Sequence, residues 1–81
     1  MDTLEPRPGR YRHFKGKEYE VIGVVRHSET LEELVLYRAL YGERGLWVRP
    51  REMFLQTVER DGYRGPRFAW IGPAEEVVTN G

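Results

Sequence analysis

Residues 34–50 constrain the fold more than any other part of the chain: Leu-Val-Leu-Tyr-Arg-Ala-Leu-Tyr, then Gly-Glu-Arg-Gly, then Leu-Trp-Val-Arg-Pro. Side chains of a strand alternate between faces, so Val35, Tyr37, Ala39 and Tyr41 share one face, and Leu34, Leu36, Arg38 and Leu40 the other. Leu, Arg and Ala favour helix, but two tyrosines, a valine and the glycine-bounded tetrad that follows favour a strand entering a hairpin. Either Gly42 or Gly45 can supply a positive φ in the loop. On the second arm Leu46 and Val48 share a face, Trp47 and Arg49 share the other, and Pro50, without an N–H, ends the ladder. Both faces of the first arm are mostly apolar, which predicts a strand covered on two sides.

The flanking segments continue the pattern. Residues 9–14 alternate, Lys15-Gly16 reads as a turn, and residues 18–26 form a second strand whose Gly23 predicts a bulge. The polar run His27–Glu33 is longer than a tight turn requires; Thr30 and Glu33 have capping-box spacing, and Ser28 and Thr30 can tie the loop to its own backbone. Pro50 can start a helical turn that carries Met53 and Phe54 as a plug for one end of the sheet. Residues 55–60 and 67–71 flank a second hairpin turned at Asp61-Gly62. The expectation is an all-β domain over residues 9–72: a small, strongly bent antiparallel barrel of about five or six strands with at most one short helical turn. Residues 1–8 and 73–81 are expected to be loose tails.

An 81-residue chain is one domain with a marginal core, and without cysteine it has neither disulfides nor thiolate metal sites. That absence, a polar N-terminus unlike a signal peptide, and the lack of any apolar run near the ~20 residues needed to cross a bilayer predict a soluble, cytoplasmic protein. The 13 basic and 13 acidic residues fall in blocks: residues 1–17 and 38–51 are each net +3, whereas residues 18–37 are net −4. Opposite blocks can pair across a sheet; alternatively the two basic blocks meet as one anion-attracting patch.

Several chemistries are disfavoured. His13 and His27 are the only histidines and match no zinc spacing, and Ser28 between His27 and Glu29 has no nucleophile elbow around it. No metal, cofactor or catalytic residue is assigned, and an enzyme is not expected. Small β barrels do bind single-stranded RNA on aromatics set among basic residues, here Arg10, Arg12 and Arg38, although a pI near 6.7 argues against it. Peptide, protein or small-ligand recognition on an aromatic face fits better: Tyr37, Tyr41 and Trp47 as platform, Arg49 as anion contact and Glu29 as polar specificity contact. A monomer without membrane contact is expected.

Several blocks also carry a family resemblance: Gly9-x-Tyr11-x-His13-Phe14-Lys15-Gly16-x-x-Tyr19; His27-Ser28-Glu29-Thr30-x-Glu32; Tyr37 and Leu40-Tyr41; Trp47-Val48-Arg49-Pro50; Met53-Phe54; Arg67-Phe68. Together, over roughly residues 9–71, they resemble the bacterial family known as domain of unknown function 1653. The resemblance implies a small SH3-like β fold in the bacterial cytoplasm and implies no activity, so no functional residue is carried over.

Overall fold

The computed structural model describes residues 5–74. The chain runs β1 (Gly9–His13), β2 (Glu18–Arg26), β3 (Glu33–Ala39), β4 (Leu46–Pro50), α1 (Arg51–Phe54), β5 (Thr57–Arg60), β6 (Tyr63–Pro66) and β7 (Phe68–Gly72). The all-β expectation holds. Five strands form one antiparallel sheet in the order β4-β3-β2-β1-β7, and β5 and β6 form a separate hairpin.

The central hairpin takes the expected register, with Tyr37 opposite Trp47 and Val35 opposite Arg49. Gly42 and Arg44 adopt positive φ in its loop, Arg44 despite carrying a side chain. The bulge falls where Gly23 predicts it: the β2–β3 register shifts between Val21 and Gly23, which turns the long β2 around the core. Only one face of β3 is covered. Val35, Tyr37 and Ala39 are buried, while Leu34 and Leu36 on the other face stay half-exposed. Expecting two covered faces was wrong because a chain this short supplies one layer of core and nothing to lay over the outside.

That core is largely aromatic. Phe54 stacks on Phe68 with centroids 4.1 Å apart and 3° between planes, and meets the edge of Tyr11 at 5.5 Å. Val21, Val35 and Tyr37 complete the cluster. Phe54 is thus the expected plug, but Met53 is 45% exposed, since a single helical turn can direct only one of two neighbours inward. Asp61 and Gly62 both take positive φ and turn the second hairpin. Its second arm is residues 63–66, however, and the segment expected to pair there, residues 67–71, instead lies beside β1 as β7.

Residues 5–8, expected to belong to a loose tail, are held in place. Pro6 is buried, the Tyr11 hydroxyl donates to the Arg7 carbonyl at 2.9 Å, and the Arg7 guanidinium lies 3.8 Å over Trp70. Of the expected C-terminal tail, residues 73 and 74 are described, and Arg10 Nε donates to the Pro73 carbonyl at 3.3 Å; residues 1–4 and 75–81 lie outside the described residues. Among the described residues no helix is long and apolar enough to cross a membrane.

Candidate functional site

Directly opposed residues of an antiparallel pair share a face, so register alone assembles the concave side of the sheet. Tyr19 of β2 lies opposite Ala39, Tyr37 of β3 opposite Trp47, and His13 of β1 opposite Phe68 of β7. The ring of Tyr19 lies over Ala39. It meets Tyr37 at 5.4 Å and Tyr41 at 5.5 Å, edge-on in both cases, and its hydroxyl is 2.9 Å from that of Tyr41. Burial first, then the bond to Tyr41, pushes the Tyr19 phenol up to about 12, so that phenol stays neutral at ordinary pH.

Arg49 projects to this same concave side. Its Nε donates to the Tyr37 hydroxyl at 3.4 Å and its guanidinium lies 5.5 Å over Phe68. The ring of His13 packs on Phe68 from another side at 4.9 Å, and the Lys17 ammonium caps the Tyr41 ring at 4.3 Å. His13 is held below the usual histidine range by burial, then by Arg49, Arg67 and Lys15. Its Nδ1 accepts the Lys15 N–H at 3.1 Å, which fixes the neutral ring. Among the described residues the ion pairs are Arg12–Glu18, Arg51–Glu33 and Arg64–Glu59, so neither Arg49 nor Arg67 has a carboxylate partner. The Nε of Arg67 is buried without a hydrogen-bond partner, while its terminal nitrogen donates to Gln56. The result is an aromatic face of the sheet rimmed by positive charge.

The chain is similar throughout its described part to proteins already grouped together. Residues 9–70 match the model of a family described as proteins of unknown function, DUF1653. The chain belongs to the DUF1653 family. The crystal structure of a DUF1653 protein from Bordetella bronchiseptica is 36% identical, with a TM-score of 0.80 over 89% of this chain and 95% of that one. Comparison with curated proteins gave no match.

In this DUF1653 chain the residues singled out from sequence are distributed unevenly. Register places Tyr37, Trp47 and Arg49 on one face, and Tyr41 adjoins it through Tyr19. Tyr37 is only 6% exposed, however, so its ring is core and only its hydroxyl serves that face; Trp47 is 59% and Tyr41 40% exposed. Glu29 lies in the β2–β3 loop, at the opposite end of β3 from Tyr41, and does not join them. That loop holds itself together: His27 Nδ1 accepts the Glu29 and Thr30 N–H groups, and Thr30 Oγ1 accepts that of Glu32. His27 therefore takes the tethering role expected of Ser28.

Arg10, Arg12 and Arg38 lie away from the aromatic face, on the outer side of the sheet. Arg10 and Arg38 flank Glu20 in register, and Arg12 bonds Glu18 at 2.9 Å. The charge blocks thus alternate across the sheet, and the basic patch does not form there. Tyr19, His13, Phe68 and Lys17 are the residues of the aromatic face that sequence reasoning missed.

Two hollows lie elsewhere. One of about 190 Å³ is lined by Glu32, Glu33, Pro50, Arg51 and Glu52. Another of about 240 Å³ lies beside the stacked rings of Phe14 and Tyr63. Among the described residues no three His, Asp or Glu side chains gather as a metal-ligand set.

Proposed function

We propose that this protein is a non-catalytic binding module whose concave aromatic face takes a peptide, protein segment or small ligand bearing an acidic group. One observation carries this reading. Arg49 is turned onto the aromatic face, oriented by Tyr37 and Phe68, and has no carboxylate partner among the described residues. A half-buried guanidinium aimed in this way is suited to a carboxylate or phosphate, whose charge-assisted bonds are about twice as strong as neutral ones. Exposed Trp47 and Tyr41 offer flat apolar area beside it.

Single-stranded RNA is the second reading, since stacking on Trp47 next to cations would suit it as well. The pairing of Arg10, Arg12 and Arg38 with Glu18 and Glu20 counts against a long backbone track. NMR titration with a pool of capped acidic peptides and with short mixed-sequence RNA, each at low and high salt, tests both. The binding-module reading expects saturable shifts at Trp47 and Arg49 with the acidic peptides, lost in Arg49→Gln. Shifts with RNA alone, fading steeply with salt, would replace it with the nucleic-acid reading; silence toward both would remove the face as a site.

A further inference from the structure

The free side of β4 adds a second set of binding groups to the aromatic face. The Ala39 N–H donates to the Gly45 carbonyl at 3.0 Å. Alternation along an antiparallel ladder then makes Tyr37/Trp47 and Val35/Arg49 the hydrogen-bonded pairs. The intervening residues Leu46, Val48 and Pro50 therefore turn their backbone groups away from β3. β4 ends the sheet order, and no loop of the described chain bonds to that edge. It offers the N–H groups of Leu46 and Val48 and the carbonyls of Leu46, Val48 and Pro50. Pro50 occupies an outward position, where its missing N–H costs the sheet nothing.

The side chains along this edge are equally uncovered. Leu46, Trp47 and Val48 are 56%, 59% and 54% exposed, with no charge between Gly45 and Arg49. Leu46 and Val48 face the outer side, next to the half-exposed Leu36, while Trp47 and Arg49 lie on the aromatic face. An added strand would lay one alternate set of side chains along Leu46 and Val48 and the other along Trp47 and Arg49. The set on the aromatic face meets Arg49, for which the described residues supply no carboxylate.

We propose that β4 is a strand-addition edge for an extended peptide in which an acidic residue, flanked by apolar ones, sets its carboxylate on Arg49. The proposal rests on the binding-face reading above and adds the backbone mode of recognition.

Selection from a phage-displayed library of random peptides, followed by affinity measurement on the enriched sequences, tests it. Enriched peptides carry Asp or Glu between apolar residues, and changing that acid to its amide weakens binding about tenfold. Val48→Pro removes an outward N–H without removing a bond to β3, and weakens the same peptides about tenfold or more. N-methylation along the peptide weakens binding at alternate positions only. This scan uses the wild-type chain, so it decides the question even if Val48→Pro fails to fold.

If binding is indifferent to Val48→Pro and to N-methylation but lost in Arg49→Gln, the binding-face reading survives and strand addition falls. Indifference to the acid-to-amide change overturns the acidic partner. Sedimentation as a dimer that Val48→Pro converts to monomer would make the occupant a second copy of this chain and overturn the peptide. Absence of any enrichment overturns both the edge and the binding face.

Discussion

Truncating Phe54 and Trp47 separately to Ala measures where the core stops and the binding face begins. Phe54 is 1% exposed, stacked on Phe68 and edge-on to Tyr11, so its removal leaves a closed void among rings that can collapse only partly. Such truncations cost about 3–5 kcal/mol. A domain of this size has roughly 4–12 kcal/mol in all, so Phe54→Ala should lose a quarter or more of its stability. Trp47, at 59% exposure, leaves about two-fifths of its surface, roughly 100 Å², in contact with protein, and at ~25 cal/mol/Å² its truncation costs at most about 2.5 kcal/mol. No cavity forms, because the site opens to water. Thermal unfolding followed by circular dichroism reads both. Phe54→Ala should lower Tm by roughly 12–20 °C, whereas Trp47→Ala should lower it by no more than about 10 °C. If Trp47→Ala costs as much as Phe54→Ala, Trp47 is structural, and its assignment to a binding face is refuted.

Three further outcomes follow from the geometry. Gly9 has φ +147°, and a Cβ there would lie 2.2 Å from the Trp70 ring, so Gly9→Ala should cost about 2 kcal/mol or more by denaturant melts, and clearly less in a Trp70→Ala background. His13 is held below 6.5, so the unfolded chain takes up its proton first; the stability from the neutral ring is complete above 6.5 and drains away as pH falls from there toward the lowered folded value. Stability measured against pH should therefore fall through that window in the wild type and fall less in His13→Gln. Arg44 has φ +56°, so Arg44→Gly should leave stability unchanged or raise it by up to about 1 kcal/mol, whereas Gly42→Ala at φ +57° should lower it by a similar amount.

The central hairpin was legible in sequence because alternation, a glycine-bounded loop and a terminal proline all point to one register. Gly23 and Asp61-Gly62 were legible for the same local reason: a bulge or a tight turn needs backbone freedom at a particular residue. The misses are non-local. That Tyr19 lies over Ala39 depends on which residue of β2 lies opposite it, and the bulge beyond Val21 shifts that register. The strand at Tyr63–Pro66 was hidden by Gly65 and Pro66, poor strand formers that a short hairpin away from the main sheet tolerates. Glu29 was linked to the platform by an over-long loop, but that loop opens at the far end of β3. Which aromatics are core and which are surface could not be read from spacing. Tyr37 and Tyr41 share a strand face, yet one sits in the sheet and the other just past its end.

A binding face built on Arg49 and Trp47 must receive an acidic ligand at both residues together. The most direct measurement is NMR of the Arg49 Nε–H and Trp47 indole N–H signals while the wild-type chain is titrated with capped peptides containing Glu, and then with their Gln counterparts. The account predicts saturable movement of both signals with the Glu peptides and little movement with the Gln peptides. Equal response to the two series, or shifts confined to the hollow beside Phe14 and Tyr63, would contradict it.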